Sequence, residues 1–394
     1  LDRATLPFTA RGPIPPLEDR PTMDLEEWEA KLDRMTGRRS DRGELTFLID
    51  GEQFYPRLEE TIRNARRSID IRIYIFDDDD VALDIADRLR ARSNEGVGVR
   101  ILFDGVGTLA ASTVAPAEVP ADHDPPRSIN AYLEKDSAVR VRQLPNPFFT
   151  GDHSKVILVD SERAFLGGMN IGREYRYEWH DLMVEVTGTV VARLRNDFDV
   201  AWAGAGPFGD LGELLARLRT RRPSAQDSGY PVRLLYTTST SSEIRATQLE
   251  AIRRSRQDIY VQSAYLTDDA FYYELVKARR RGVDVRVVIP LRSDQGQLTR
   301  ENVLTANALF ENGIRVYIYP GMSHLKAAVF DGWACLGSAN IDQLSLRINK
   351  EVNIATSHPE AVETLVERLF ERDFAASPEM QEVFTERWVD ALWE

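Results

Sequence analysis

Hydrophobic and polar residues alternate along two well-separated parts of the chain, as they do in half-buried β-strands. In both parts a helical stretch precedes an alternating strand, and a second helix leads to a second strand. The first helix and the two strands are predicted over residues 55–67, 68–76 and 96–103 in the first part, and over residues 242–256, 258–266 and 282–289 in the second. Helices that alternate with short β-branched strands predict an α/β sheet covered by helices.

The same order of elements therefore occurs twice, which predicts a duplicated fold. A further strand follows in each part, at residues 139–142 and 314–317. Glycine and proline near residues 204–229 predict a linker between the two halves. We expect a peripheral arm rich in proline and charge, a first half, this linker and a second half, at residues 1–45, 46–203, 204–229 and 230–394.

Composition narrows the class of protein. The 394 residues carry a net charge of −13, which argues against a nucleic-acid partner because such binders usually present a basic face. Cys335 is the single cysteine, so an intrachain disulfide and a thiolate metal cluster are excluded. No apolar run approaches the ~20 residues of a membrane span. The chain begins at Leu1 without a methionine, which leaves open an upstream signal or anchor.

Two acidic runs could suggest a metal site, but their position favours another interpretation. Residues 77–80 and residues 268–269 each lie where a predicted strand leads into a helix. Carboxylates at that position bond to free backbone N–H groups and complement the helix dipole. We therefore interpret both runs as helix caps.

Two of the five histidines begin the same motif, His-x-Lys-x-x-x-x-Asp. The motif consists of His153, Lys155 and Asp160 in the first half, and of His324, Lys326 and Asp331 in the second. Residues two apart on a strand point to one face, so each histidine and its lysine converge on one spot. The aspartates have the opposite parity, which favours a structural role. We nevertheless keep both aspartates among the candidate catalytic residues of the motif.

Each motif is followed by Gly-x-x-Asn, which brings Asn170 and Asn340 toward the same places. Two such halves face to face would supply two histidines, two cations and two amides. Cleavage of a phosphodiester needs a nucleophile at phosphorus, an acid for the leaving oxygen, and cations or amides on the other oxygens. Because two lysines supply the positive charge, we expect no metal and no cofactor.

The two motifs with their Gly-x-x-Asn sequences resemble the phospholipase D superfamily over about residues 46–394. Segments 167–181 and 337–351 are further similar to bacterial cardiolipin synthases. The resemblance implies an α/β fold in which two similar halves form a pseudo-twofold αβαβα sandwich with the site at their interface. It also implies a metal-free reaction in two steps through a phosphohistidine.

The resemblance also implies roles for individual residues. His153 would be the nucleophile and His324 the general acid and then base, although the symmetric motifs leave the order open. Lys155, Lys326, Asn170, Asn340 and Ser338 would bind the phosphoryl oxygens, Ser338 on one side alone because the first half has Gly168 in its place. A carboxylate would orient each histidine, and Asp181 and Glu351 stand 28 and 27 residues after their histidines. His180, beside Asp181, is open to a role in the site or in packing.

The leading functional hypothesis is phosphatidyl transfer, from phosphatidylglycerol to cardiolipin. A phospholipase D hydrolase that releases phosphatidic acid is the nearest alternative, and a nuclease of the same superfamily is the more distant one. We expect a phospholipid substrate and a bacterial protein at a membrane surface, held peripherally or by a segment outside this chain. The side of the membrane stays open. Two loops, residues 108–127 and the pair Phe148 and Phe149, are expected to cover the site or touch the membrane.

Overall fold

The structure is a computed structural model, and it describes residues 13–105, 119–120, 123–144, 150–218, 228–290 and 296–384. The pair Phe148 and Phe149 and most of the expected loop at residues 108–127 lie outside the described residues.

The first half and the segment before it contain seven helices and seven strands among the described residues. The helices are α1 (Leu25–Thr36), α2 (Gly51–Asn64), α3 (Asp80–Asn94), α4 (Ile129–Glu134), α5 (Arg173–Tyr177), α6 (Thr189–Gly204) and α7 (Gly209–Leu218). The strands are β1 (Asp41–Ile49), β2 (Ser68–Ile73), β3 (Gly98–Asp104), β4 (Arg140–Leu144), β5 (Val156–Val159), β6 (Arg163–Gly167) and β7 (Leu182–Thr187).

The second half repeats this order. Its strands are β8 (Tyr230–Thr238), β9 (Ser241–Ser242), β10 (Asp258–Ser263), β11 (Asp284–Pro290), β12 (Arg315–Tyr319), β13 (Lys326–Phe330), β14 (Trp333–Gly337) and β15 (Glu351–Thr356). Its helices are α8 (Glu243–Arg254), α9 (Asp269–Arg280), α10 (Gly296–Glu311), α11 (Gln343–Arg347), α12 (Pro359–Leu365) and α13 (Glu371–Ala376). A π-helical turn, Val366–Phe370, joins the last two helices.

The strands of each half pair in the same way. In the first half β2, β3 and β4 are parallel, and β5, β6 and β7 continue the sheet as antiparallel strands. Strands β10 to β15 repeat this arrangement. The sheets of the two halves are joined along one edge, where residues 41–43 of β1 pair with residues 230–232 of β8, and each sheet forms its own layer. The duplicated α/β fold is thus confirmed.

Three hydrophobic cores show how the layers stack. The central core contains side chains from strands of both halves, such as Leu158 and Val352, together with Leu194 of α6 and Leu365 of α12. Each outer core lies between one half's strands and its remaining helices. In β5, Leu158 faces the central core while its neighbours Ile157 and Val159 face the outer one, because strand side chains alternate. The layers are therefore helix, sheet, helix, sheet and helix, the αβαβα order that was expected.

The described part of the predicted N-terminal arm, residues 13–45, includes a helix that packs into the second half. Trp28 of α1 is fully buried and meets the edge of Trp333 of the second half, with ring centroids 5.2 Å apart. Strand β1 begins at Asp41, before the predicted start of the first half. The apolar face of α1 draws it into the second half's outer core. The predicted domain boundaries stay predictions.

Each acidic run contains a residue that caps a helix, as predicted. The Asp79 carboxylate accepts a hydrogen bond from the backbone N–H of Ala82 at the start of α3, at 2.8 Å. Asp268 accepts the equivalent bond from Phe271 at the start of α9, at 2.9 Å. These carboxylates complete the first turns of two helices.

An ion cluster around the buried His180 joins the two halves, with Asp373 buried and Asp50 half-exposed. His180 lies between two carboxylates: its Nδ1 is 2.6 Å from Asp50 of the first half and its Nε2 is 2.9 Å from Asp373 of the second. The ring also stacks on Tyr319, with centroids 4.7 Å apart. Because both ring nitrogens face carboxylates, each must donate a proton, so the ring is an imidazolium cation. His180 is therefore a packing residue of the interface.

The cluster makes stability depend on pH. Burial lowers the pKa of His180, but hydrogen bonds to Asp373 and Asp50 outweigh it and raise that pKa to about 9. The ordinary value is about 6.5, so the charged ring contributes roughly 3 kcal/mol to the free energy of unfolding below about pH 6.5. This contribution is lost as the pH rises through about 9.

We expect His180→Gln to lower the free energy of unfolding in urea by roughly 3 kcal/mol near pH 6, and the difference from wild type to shrink toward pH 10. His123→Gln is the control. The ring of His123 contacts the backbone carbonyl of Asp78, which is uncharged, so this substitution removes no contact between a histidine and a carboxylate among the described residues. A difference for His180→Gln that stays constant with pH would contradict a charged histidine at the interface.

Candidate active site

The segments that carry the two motif histidines each cross to the opposite half. The backbone N–H of His153 donates to the carbonyl of Lys350 at 2.9 Å, and Lys350 donates back to Gly151 at 2.9 Å. In the same way His324 donates to the carbonyl of His180 at 2.8 Å, and His180 donates to Met322 at 3.0 Å. Each histidine thus lies beside the residue that precedes the other half's candidate carboxylate.

These backbone bonds pair each histidine with a carboxylate from the other half. Nδ1 of His153 lies 3.0 and 3.1 Å from the two oxygens of Glu351. Nδ1 of His324 lies 2.7 Å from Oδ2 of Asp181. Both carboxylates are fully buried. The pairing by sequence distance, in which each carboxylate serves the histidine before it in the same half, is therefore wrong.

The contacts fix which ring nitrogen can react. A carboxylate at Nδ1 accepts the proton there, which leaves Nε2 as the reacting nitrogen of each ring. The same carboxylate stabilises the ring when it carries a positive charge. The arrangement can therefore provide one nucleophilic imidazole and one imidazole that gives or takes a proton.

The two carboxylates are held differently. The hydroxyl of Ser338 donates to Glu351 at 2.6 Å and accepts from the backbone N–H of Val352 at 3.0 Å. At Gly168, the equivalent position, an added Cβ would lie 2.2 Å from Oδ1 of Asp181. The carboxylate thus fills the space that a serine side chain would need. In this arrangement the donor proton of Ser338 serves Glu351, and binding of phosphate by Ser338 stays a prediction.

Both motif lysines are buried at the interface. Nζ of Lys155 donates to the carbonyl of His153 at 2.8 Å, and Lys326 makes the same bond to His324. Burial lowers the pKa of Lys155 to about 7. The attraction of Glu351 offsets the effect of burial only in part, and the nearby charge of Lys326 lowers the pKa further. Two cations close enough to repel each other are suited to an anion with several oxygens.

The two candidate asparagines, Asn170 and Asn340, are also buried. Asn170 accepts from the backbone N–H of Ile75 at 3.1 Å and donates to the hydroxyl of Tyr175 at 2.8 Å. The Oδ1 atom of Asn340 has no hydrogen-bond partner among the described residues. Because a buried amide oxygen without a partner is costly, Oδ1 of Asn340 is suited to accept a hydrogen bond from a ligand hydroxyl, whereas only its amide nitrogen could donate to a phosphoryl oxygen.

The aspartates of the two motifs lie elsewhere. Asp160 follows β5, and its carboxylate accepts backbone N–H bonds from residues 66–68. Asp331 does the same for residues 256–258 and for Met23. Both residues have positive φ, 55° and 46°, as the tight hairpin turns require. The structural role indicated by their parity is confirmed, whereas a catalytic role for either aspartate stays an untested prediction.

Aromatic residues around the histidines were not found from the sequence. The ring of Tyr74 lies 4.8 Å from that of His153, and Nζ of Lys155 lies over the same tyrosine. Trp179 lies 5.3 Å from His324, between ring centroids. Their places in the sequence could have identified them. Tyr74 directly follows β2, and Trp179 directly precedes the His180–Asp181 pair. The rings narrow the space around both imidazoles.

The described residues also bear on a metal site and on a membrane-spanning helix. Within the described ranges, no three His, Cys, Asp or Glu side chains are grouped so that they could hold a metal ion. In that same part of the chain, no helix is long and apolar enough to cross a membrane.

Comparison with known proteins agrees with this geometry. A family model described as cardiolipin synthase, PLD-like domain, matches residues 58–202 and 249–374. The chain is 30% identical to cardiolipin synthase A of Pseudomonas fluorescens over 359 residues, which is 86% of this chain and 70% of that protein. It is 27% identical to a cardiolipin synthase of Listeria monocytogenes over 364 residues, 86% of this chain and 71% of the relative.

A solved structure is similar in fold. The crystal structure of phosphatidylserine synthase from Haemophilus influenzae matches with a TM-score of 0.68, over 92% of this chain and 96% of that one, at 14% identity. The duplicated sheet, the paired motifs and the family match lead to one conclusion: the chain belongs to the cardiolipin synthase family of phospholipase D-like proteins.

Proposed function

We propose that the protein is a phosphatidyltransferase that converts two molecules of phosphatidylglycerol into cardiolipin and glycerol. The observation that carries the proposal is the crossed pair of histidine–carboxylate contacts beside two buried lysines. Similarity to cardiolipin synthases over 86% of the chain supports the choice of substrate within the family.

In the first step, Nε2 of His153 attacks the phosphorus of one phosphatidylglycerol. A P–N bond forms and the P–O bond to the glycerol headgroup breaks. His324, protonated at Nε2 and stabilised by Asp181, gives its proton to the leaving oxygen. Glu351 holds Nδ1–H of His153, so it compensates the positive charge that develops on that ring.

In the second step, the headgroup hydroxyl of another phosphatidylglycerol is the acceptor. Its proton moves to Nε2 of His324, which is neutral after the first step, and its oxygen attacks phosphorus. The P–O bond of cardiolipin forms, and the P–N bond to His153 breaks. Lys155, Lys326 and the two asparagines would hold the non-bridging oxygens in both steps. Bound phosphate would also favour the charged form of Lys155, since an anion within a few ångströms raises the pKa of an amine.

The proposed substrate also bears on location. Phospholipids of this kind reside in membranes, so we propose that the protein works at a bacterial membrane surface. The exclusion of nucleic acid stays a prediction from the net charge of −13.

The order of the two histidines can be tested with an activated substrate, phosphatidyl-p-nitrophenol, whose leaving group needs no proton. We expect His324→Ala to release about one equivalent of p-nitrophenol per protein and then to stall, because no base activates the acceptor. We expect His153→Ala to release none. A burst from His153→Ala and none from His324→Ala would reverse the roles, and a near-wild-type steady rate in either variant would contradict the mechanism.

The crossed contacts make a separate prediction with the same substrate. Glu351→Gln should slow the burst by at least about a hundredfold, because His153 loses the partner that fixes its tautomer. Asp181→Asn should leave the burst rate near that of wild type and slow the later turnover instead. The two substitutions remove the same charge and are matched controls for each other. If Asp181→Asn slows the burst and Glu351→Gln does not, the carboxylates do not act across the interface.

The product is tested with vesicles of phosphatidylglycerol in the presence of EDTA, followed by mass spectrometry of the lipids. We expect cardiolipin and glycerol from the intact chain and no product from His153→Ala. Phosphatidic acid without cardiolipin, across several acceptor alcohols, would replace transfer by hydrolysis. Untouched lipid together with degraded single-stranded DNA would contradict the lipid substrate.

A further inference from the structure

Helix α7 exposes an unusually apolar face. Five large hydrophobic side chains on it and just before it are between 48% and 74% exposed: Phe208, Leu211, Leu214, Leu215 and Leu218. They recur every three or four residues, so they lie along one side of the helix. Single exposed hydrophobic residues are ordinary, but a contiguous apolar patch on a protein surface marks an interaction site.

Packing against α6 fixes this face outward. Gly212 lies so close to α6 that an added Cβ would be 2.9 Å from the carbonyl oxygen of Ala203. On the same helix, Glu213 forms an ion pair with Arg217 at 2.6 Å. The helix cannot turn its leucines toward α6 without losing this close approach. As far as the described residues extend, the apolar side is therefore available to an external partner.

Positive charge lies next to this helix. Arg140 and Arg142 of the edge strand β4 both reach the ring of Trp202, which is near the end of α6. Arg142 also touches the turn between α6 and α7, where an added Cβ at Gly206 would be 2.7 Å from its guanidinium. Burial, and then the charges of Arg140 and Arg100, lower the pKa of Arg142. Among the described contacts, neither Arg140 nor Arg142 forms an ion pair with a carboxylate.

Local positive charge beside an apolar helix contrasts with a chain of net charge −13. An apolar helix face with adjoining arginines matches the boundary between acyl chains and anionic headgroups.

We propose that α7 with Arg140 and Arg142 forms a docking face for a bilayer that contains anionic phospholipid. The inference rests on the proposed function, in which the substrate is itself an anionic lipid within a bilayer. The leucines enter the acyl boundary, and the two arginines contact lipid phosphates. The docked enzyme is then held at the surface from which its substrate comes.

The test measures flotation of the 394-residue chain with vesicles of phosphatidylglycerol, and with vesicles of phosphatidylcholine for comparison. We expect the double variant Leu211→Gln/Leu218→Gln to bind phosphatidylglycerol vesicles at least about tenfold more weakly than wild type. The matched control is Leu17→Gln/Leu304→Gln, which changes two leucines exposed elsewhere and should bind as wild type does. Arg140→Gln/Arg142→Gln should lose the preference for phosphatidylglycerol over phosphatidylcholine.

Turnover of detergent-dispersed phosphatidylglycerol separates docking from catalysis, and it should be equal in all these variants. If no variant turns over lipid but the binding differences hold, the docking face stands and the proposed reaction fails. Unchanged vesicle binding by the Leu211/Leu218 variant would overturn the docking face. A wild-type dimer that this variant converts to a monomer, with lipid binding unchanged, would instead assign the face to a second copy of the chain.

Discussion

Each of the two motif histidines is hydrogen-bonded to a carboxylate from the opposite half of the molecule. Glu351 contacts His153, and Asp181 contacts His324, through Nδ1 in both cases. Neither half alone therefore contains an oriented imidazole beside its lysine. Three features fix the relative position of the two halves: the strand pairing of β1 with β8, the shared central core and the charged His180 cluster. This position brings each histidine to its carboxylate.

The duplication is close in the backbone and divergent in side chains. The Gly168–Asp181 pair in one half corresponds to Ser338–Glu351 in the other, and in each case the carboxylate fits the space its neighbour leaves. His180 occupies a buried position where the second half has the exposed Lys350. Such differences give the two histidines unequal surroundings, as two unequal roles in a reaction require. Symmetric motifs can thus support an asymmetric sequence of proton transfers.

Local patterns predicted what depends on local physics. Alternation located the flanking strands β2, β3, β10 and β11, and the position of acidic residues before helices identified their caps. Motif spacing identified His153 and His324 with their lysines, but the expected shared strand was wrong, because both histidines precede β5 and β13. Contacts between distant segments were beyond such patterns. Nothing near Asp181 in the sequence specifies His324, and the burial of Trp28 depends on Trp333, a position where the first half has Arg163. The contact of the Ser338 hydroxyl with Glu351 was also not predicted, because it depends on side-chain direction, which the motif does not encode.

The crossed pairing can be observed directly in the proton NMR spectrum of the protein. A histidine Nδ1 proton held by a buried carboxylate gives a strongly downfield resonance, and nitrogen labelling of histidine assigns it to one ring. We predict that Glu351→Gln removes or shifts the resonance of His153 and leaves that of His324 in place, and that Asp181→Asn does the reverse. Loss of the His324 resonance in Glu351→Gln, with that of His153 retained, would contradict an active site assembled across the two halves.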